Sequence, residues 1–304
     1  MSSARLPAVS LVAVPGRRAR TLDLAREIED RGFAGIFGPS FGDVLSLCVS
    51  LAHVTTTVPF GSSILPIYSR RAADVAATSS YIAEVSGGRM HLGLGVSHEP
   101  ALKRQGLADS VGRPLADTRT FVEELRTAVG DTGVMPRIVL ATLRKKMLAL
   151  AVEIADGAVW ANGARSHMPE SLSSVARPAD RDFFLGNMIP TVIDDDREAA
   201  AAVNRKTLTG YVSLPNYRNY WREAGYVEEM DAIEAALADG DRAALPGLMS
   251  DRWLSDVTLY GSASEVRDGL EAWFDAGITT PILVPSSTSG GQLKALEELF
   301  AAFA

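Results

Sequence analysis

Several features that would mark a secreted or membrane-spanning protein are scarce or absent in this sequence. Cys48 is the single cysteine among 304 residues, so no internal disulfide can form and a reducing compartment is expected. No apolar run reaches the roughly 18 residues of a membrane span. The first residues do not form a charged and then apolar signal segment. We therefore expect a soluble, cytoplasmic protein with no membrane partner.

Charge and motifs exclude further classes of function. The 37 acidic residues outnumber the 30 basic ones, and the formal net charge of -7 argues against nucleic acid as a partner. The four histidines lack the spacing of metal ligands, and no HExxH motif is present, so no metal is expected. The GxSxG signature of hydrolases and the Walker phosphate loop are also absent. Few candidate acids and bases remain, which favours a site where a bound cofactor supplies the chemistry.

Short apolar segments alternate with amphipathic segments along the chain. Near-continuous apolar strands that alternate with helices are typical of a parallel sheet covered on both faces. The predicted strands are 6–15, 32–39, 56–67, 88–100, 136–142, 157–162, 183–193 and 279–285. These eight units predict a (β/α)8 barrel, one α/β domain over residues 1–304. The helical segment 210–254 is predicted as an insertion between the seventh and eighth strands.

Basic residues follow several of the predicted strands. Active sites of such barrels lie on the loops at the carboxyl ends of the strands. The basic residues of these loops are Arg17, Arg18, Arg20, Arg70, Arg71, Lys103, Arg104, Arg144, Lys145, Lys146 and Arg165. Basic side chains at helix starts oppose the helix dipole. Their excess on one face of an acidic protein indicates an anionic ligand, although ordinary solvated helix starts would look the same.

The stretch GRMHLGLGVSHEP at 88–100 contains two glycines within an apolar strand pattern. A dinucleotide fingerprint would need a third glycine where His98 stands, so that motif is excluded. Glycine inside a strand often marks close approach of a ligand or of another backbone. We predict that a cofactor or its supporting bulge packs against Gly93 or Gly95. The preceding strand ends in GSSILP, which predicts a bulge that presents Ile64 to a flat ligand.

Three segments resemble the luciferase-like monooxygenase superfamily, most closely its coenzyme F-420-dependent branch. They are GSSILPIYSRRAADVAATSSYIAEVSGGRMHLGLGVSH (61–98), IVLATLRKKMLALAVEIADGAVWAN (138–162) and YGSASEVRDGLEAWFDAGITTPILVP (260–285). The resemblance implies a barrel that binds a deazaflavin or flavin, and homodimers are common in that superfamily. It also implies an interrupted strand near Ser62, Ser63 and Ile64, often with a cis peptide.

The same resemblance implies the positions of the other cofactor contacts. Gly95, Val96 and Ser97 would flank the ring or ribityl chain, and Ser40 would lie near the ring. Ala141, Thr142, Leu143, Lys145 and Lys146 would hold the phosphate at a helix start, where free N–H groups favour an anion. Gly157 to Asn162 would line the remaining wall. The loops at 165–180 and the aromatic segment 211–226 are expected to shape a substrate pocket.

One departure from the superfamily concerns the acid or base. Many members carry a His, Asp or Glu just after the second strand, where this chain reads GPSFGD. Asp43 and His98 are therefore the candidate catalytic residues, with Glu99 as a further option, and a structural role for each stays open. Three functions remain open. They are an F-420-dependent oxidoreductase acting on a small organic substrate, an FMN-dependent monooxygenase using dioxygen, and a barrel that binds a ligand without turnover.

Overall fold

The computed structural model describes residues 5–40, 43–107, 112–176 and 182–304. Its contacts divide the chain into two compact units. The first comprises Met1–Trp160 with Val175–Gly186, and the second comprises Ala161–Ser174 with Asn187–Ala304. Within the described ranges, no helix is long and apolar enough to cross a membrane.

The first unit is a parallel sheet whose strands pair in chain order. The strands are β1 (Ala8–Ser10), β2 (Ile36–Gly38), β3 (Phe60–Ser62), β4 (Leu65–Pro66), β5 (Met90–Gly95), β6 (Arg137–Ala141) and β7 (Gly157–Ala161, its last residue in the second unit). Parallel ladders join β1 to β2, β2 to β3, both β3 and β4 to β5, β5 to β6, and β6 to β7. The carboxyl ends of these strands therefore lie at one edge of the sheet.

Helices connect these strands and bury one face each. They are α1 (Arg18–Asp30), α2 (Val44–Val54), α3 (Ala72–Val85), α4 (Glu99–Arg104), α5 (Pro114–Val129) and α6 (Lys145–Ile154). In α6, for example, Leu148, Ala151 and Ile154 are buried while Lys145 and Lys146 are exposed. This spacing of three or four residues is the amphipathic pattern from which the helices were predicted.

The second unit contains the remaining elements. They are α7 (Met168–Ser173), β8 (Phe184–Ile193, its first three residues in the first unit), α8 (Arg197–Val212), α9 (Pro215–Glu223), α10 (Val227–Ala238), α11 (Asp251–Val257), β9 (Leu259–Gly261), α12 (Ala263–Asp275), β10 (Thr280–Ser286) and α13 (Gln292–Ala302). β8 pairs with β9 in parallel and is also hydrogen-bonded to β10. The predicted insertion is confirmed as α9 to α11 with the end of α8. The strand β9 was not predicted.

The order of elements confirms the predicted (β/α)8 barrel. β3 and β4 are one strand with an interruption, and β9 is a short addition beside β8. The eight strands that remain in the described ranges each precede a helix. Seven of the eight predicted segments are longer than the strands observed, because hydrophobicity does not show where strand pairing stops.

Candidate cofactor and active site

The third strand is interrupted where the sequence predicts a bulge. Regular pairing stops after Ser62 and resumes at Leu65, and the Ser63–Ile64 peptide is cis. The Ser62 hydroxyl donates to the Gly93 carbonyl oxygen at 2.8 Å, and the Ser63 N–H donates to the Gly38 carbonyl oxygen at 2.7 Å. Ser62 and Ser63 are buried and Ile64 is half-buried. The predicted departure from strand geometry is confirmed.

The two glycines of β5 make room for this interruption. A Cβ atom built on Gly93 would lie 2.0 Å from the Ser62 carbonyl oxygen. A Cβ atom on Gly95 would lie 2.8 Å from the Ala141 Cβ and 2.9 Å from the Ile64 Cδ1. Both distances are shorter than van der Waals contact. The glycines are therefore required by the segment around Ile64, which was one of the two predicted reasons for them.

The turn after β5 carries three of the predicted site residues. Val96, Ser97 and His98 are half-buried, and Ser97 has a positive φ of 61°, which is uncommon for a residue other than glycine. His98 precedes α4 as its N-cap residue. Burial lowers the pKa of His98, so the imidazole is mainly neutral at pH 7 and can accept a proton. The side chain of Glu99 lies outside the part of the chain that the structure describes.

Asp43 is held in a different electrostatic state. Its Oδ1 accepts a hydrogen bond from Arg70 at 3.0 Å, and its Oδ2 accepts one from the Ser46 hydroxyl at 2.7 Å. Partial burial raises the pKa of Asp43, but the Ser46 hydrogen bond and the Arg70 charge outweigh it and lower the pKa overall. An exposed carboxylate that stays ionised can accept hydrogen bonds and so orient a neighbouring group, but it has no proton to give as a general acid at neutral pH. Ser40 is exposed, and residues 41–42 lie outside the described ranges.

The predicted phosphate site lies where β6 leads into α6. Ala141 and Leu143 are half-buried, Thr142 is buried, and the Thr142 N–H donates to the Val159 carbonyl oxygen at 2.9 Å. The Met147 and Leu148 N–H groups donate to the Arg144 carbonyl oxygen at 3.1 and 3.2 Å. Lys145 and Lys146 open the helix, where no preceding turn supplies acceptors for their N–H groups. Lys145 and Lys146 are exposed in that turn, and neither has an ion-pair partner among the described residues. The start of the helix and the two lysine cations together favour the binding of an anion.

One predicted cofactor residue has a packing role instead. Gly157 is the first residue of β7, at the opposite end of the strand from the carboxyl edge. A Cβ atom there would lie 2.6 Å from the Phe184 Cβ and 2.7 Å from the Phe184 carbonyl oxygen. Gly157 is therefore a glycine because the backbone at Phe184 approaches it, and its predicted cofactor contact is not supported.

In the second unit, Asn162 begins a tightly held turn. Asn162 is buried with a φ of 55°, and Ser97 is the other non-glycine residue with positive φ in the described ranges. The Asn162 N–H donates to the Met188 carbonyl oxygen at 3.0 Å. The Asn162 carbonyl oxygen accepts from the Trp221 indole N–H at 3.2 Å. The next two N–H groups donate to the Asn187 Oδ1 and to the Tyr220 hydroxyl oxygen.

The aromatic residues of the insertion were expected to shape a substrate pocket. Tyr217, Tyr220, Trp221 and Tyr226 are instead buried. Trp221 packs edge-on against Trp253 with ring centroids 4.8 Å apart. These side chains form the core of the insertion. The polar tips of Tyr220 and Trp221 bind backbone groups, and the Tyr226 hydroxyl donates to the Asp256 Oδ2 at 2.8 Å. Sequence reasoning missed this role, although a helix rich in Tyr and Trp is a signal for buried rings whose polar tips need partners.

Two further residues, whose roles were not predicted from the sequence, stabilise the first unit at the amino ends of its strands. Arg89, the arginine of the GGR motif, uses its guanidinium N–H groups on the Thr55 hydroxyl and on four carbonyl oxygens, at 2.8 to 3.1 Å. Glu29 accepts the N–H groups of residues 56 to 58. Burial raises the pKa of Glu29, but these hydrogen bonds lower it to about 2. Both are structural rather than ligand-binding residues.

Comparisons with known proteins identify the family of this chain. The family model described as luciferase-like monooxygenase matches residues 6–280. The chain is 25% identical to a Mycobacterium tuberculosis protein named for coenzyme F-420-dependent oxidoreductase activity, over 91% of this chain and 93% of that one.

Two solved structures share the fold. The coenzyme F-420-dependent tetrahydromethanopterin reductase from Methanopyrus kandleri matches with a TM-score of 0.73 at 18% identity, covering 97% of each chain. The oxygenating constituent of 3,6-diketocamphane monooxygenase from Pseudomonas putida, in complex with FMN, gives 0.60 at 14% identity, covering 99% of this chain and 96% of that one. The family model covers most of the sequence, and this chain belongs to the luciferase-like monooxygenase family.

Proposed function

We propose that this protein is an oxidoreductase that binds coenzyme F-420 and transfers a hydride between the deazaflavin and a small organic substrate. The observation that carries the proposal is the interrupted third strand, which lies against the glycines of β5 and presents the half-buried Ile64 near the carboxyl ends of the strands. The Mycobacterium tuberculosis relative and the Methanopyrus kandleri reductase, both named for F-420, support this choice of cofactor.

The residues of the first unit fit such a cofactor chemically. Ile64 and Val96 offer half-buried apolar surface, which suits a planar ring. The first turn of α6 offers N–H groups, with Lys145 and Lys146 as cations, which suits a phosphate. When bound, F-420 would supply the carbon that accepts or donates the hydride. The protein would bind and orient the ring and exclude water from it.

His98 is the residue we propose for proton transfer. Oxidation of a hydroxyl-bearing substrate by hydride loss also releases a proton, and a neutral imidazole can accept it. His98 is kept neutral by burial, whereas Asp43 is already ionised and paired with Arg70. We therefore rank His98 above Asp43 as acid or base, and we assign Asp43 the task of holding Arg70 beside the loop after β2.

An FMN-dependent monooxygenase is the second candidate. The structural match to the Pseudomonas putida monooxygenase with bound FMN favours it, because that protein shares the fold over nearly its whole length. FMN also carries a phosphate that the start of α6 could bind. The two candidates therefore differ in the cofactor and in the need for dioxygen, and both keep the same binding residues.

A side-by-side titration separates the candidates. Purified protein is titrated with F-420 and with FMN, following cofactor fluorescence, and tight binding of F-420 alone is the expected result. Lys145→Glu with Lys146→Glu should weaken F-420 binding about tenfold or more, because charge-assisted contacts contribute about 1.5–3 kcal/mol each. Lys206→Glu with Lys294→Glu is the control, since it changes the net charge equally at helical surface positions. Stronger binding of FMN than of F-420 would refute the first candidate.

A further inference from the structure

Arg165, in the second unit, differs from every other arginine of comparable burial in the described ranges. Seven arginines there are half-buried or buried, and six of them donate two or more side-chain hydrogen bonds. The six are Arg89, Arg119, Arg137, Arg205, Arg218 and Arg222. The Arg165 guanidinium donates none to the described residues, although only 32% of its side chain is exposed. Shielded polar groups normally have hydrogen-bond partners, so this guanidinium is an exception that needs a physical reason.

Asp256 balances the charge of Arg165 without using its N–H groups. The Arg165 Nε lies 3.9 Å from the Asp256 Oδ1, which is close enough for an ion pair but too long for a hydrogen bond. The buried Asp256 carboxylate already accepts three hydrogen bonds. They come from the Ser166 N–H and hydroxyl, at 3.0 and 2.7 Å, and from the Tyr226 hydroxyl at 2.8 Å. The guanidinium N–H groups therefore stay available for another acceptor.

The backbone on both sides of Arg165 is fixed by side chains of the same unit. The Ala164 N–H donates to the Tyr220 hydroxyl oxygen at 2.9 Å, and the Ser166 N–H donates to the Asp256 Oδ1 at 3.0 Å. A surface loop normally leaves such groups to water. A fixed backbone lowers the entropy that the arginine would lose on binding a ligand.

We infer that Arg165 forms an anion-binding site of the second unit, which takes the carboxylate or phosphate group of a small molecule. The planar guanidinium presents paired N–H groups that match two oxygens of either anion. Arg165 lies four residues after β7, on one of the loops at the carboxyl ends of the strands. Active sites of (β/α)8 barrels lie on these loops. The inference does not depend on the identity of the cofactor.

The test measures the binding of inorganic phosphate and of succinate by isothermal titration calorimetry. The background is Lys145→Glu with Lys146→Glu, which removes the anion site proposed at the start of α6. This background should bind both anions, and Arg165→Gln should weaken their binding about tenfold or more. Arg137→Gln is the matched control, because its side chain is 33% exposed and its guanidinium is already bonded to Asp182. It should bind both anions within about twofold of the background.

Arg165→Lys covers the case in which the glutamine variant does not fold. It keeps a positive charge beside Asp256, but an ammonium does not match two oxygens at once, so anion binding should still weaken about threefold or more. Undiminished binding in the Arg165 variants would overturn the inference. Failure of the background to bind either anion would overturn it as well.

A titration with F-420 identifies the source of the anion. If Arg165→Gln, made in the wild type, weakens F-420 binding about tenfold, the site takes an anionic group of that cofactor. If F-420 affinity is unchanged while phosphate and succinate binding is lost, the site takes the anionic group of another small molecule. Either result supports the site. If the wild type binds no F-420, the proposed function fails, and the phosphate and succinate titrations still decide this inference.

Discussion

His91 gives the sharpest prediction about the stability of the fold. It lies on β5 and is buried, with its ring 5.2 Å from Phe184 and 5.8 Å from Phe37, centroid to centroid. Its Nδ1 has no hydrogen-bond partner among the described residues. Burial, with a smaller contribution from the Arg137 charge, lowers the pKa of His91 from 6.5 to about 4. Folding therefore favours the neutral imidazole over the charged one.

The sign and size of the pH effect follow from linkage. Below pH 6.5 the unfolded chain binds a proton at His91 that the folded chain does not bind until about pH 4. The free energy of unfolding therefore falls as the pH falls from 6.5 towards 4. At pH 5 the difference in proton binding corresponds to a loss of about 2 kcal/mol relative to pH 8.

The assay is urea unfolding of the wild type, His91→Phe and His91→Leu at pH 8 and pH 5. Phenylalanine suits the aromatic neighbours, and leucine covers the case in which the larger ring overpacks the site. Both variants should lose about 2 kcal/mol less than the wild type between the two pH values. Other titrating groups are common to all three proteins and cancel in this comparison. Equal losses in the three proteins would refute the assigned pKa.

Three further predictions concern Arg89, Glu29 and the two glycines of β5. Arg89→Lys should lower the free energy of unfolding, measured in urea, by about 2–4 kcal/mol, because a lysine ammonium cannot bind the five acceptors that the planar guanidinium reaches. The control is Arg31→Lys at an exposed position, which should change the free energy of unfolding by less than about 0.5 kcal/mol. Glu29→Gln should cost about 1–2 kcal/mol at pH 7. The stabilisation by Glu29 is present above pH 4.5 and lost as the pH falls towards 2, so this cost should shrink between pH 4.5 and pH 3 in the same assay. Gly93→Ala should prevent stable folding, because its Cβ would meet the Ser62 carbonyl oxygen. Gly95→Ala would meet the flexible Ile64 side chain and the Ala141 Cβ, so it should fold with a loss of about 1–3 kcal/mol and bind F-420 more weakly. Equal thermal destabilisation of the two variants would contradict this difference.

Much of the fold could be predicted because its signals are local. Apolar strands and amphipathic helices repeat along the chain, and their alternation is sufficient for a parallel barrel. The strand β9 was missed because it has only three residues, and its pairing with β8 joins residues nearly 70 positions apart. Strand ends were also predicted too long, because hydrophobicity does not show where pairing stops.

The candidate site was predicted in part. The interruption at Ile64 and the glycines of β5 were predicted as a related pair, and the structure places them in contact. Gly157 was assigned to the cofactor by the family resemblance, and the close approach of Phe184, which lies nearly 30 residues further along the chain, could not be read from the sequence. The electrostatic difference between Asp43 and His98 depends on Arg70 and on burial, and neither can be deduced from the residues alone.

The sequence by itself determined the βα alternation, the break in the third strand and the basic start of α6, because each depends on neighbours within about one element. Tertiary structure decided which groups are structural and which remain available for a ligand. Arg89 satisfies carbonyl groups more than 30 residues away, and Trp221 binds a carbonyl 59 residues away. Such partners depend on the tertiary structure, because a buried polar group forms its hydrogen bonds with the donors and acceptors that packing places next to it.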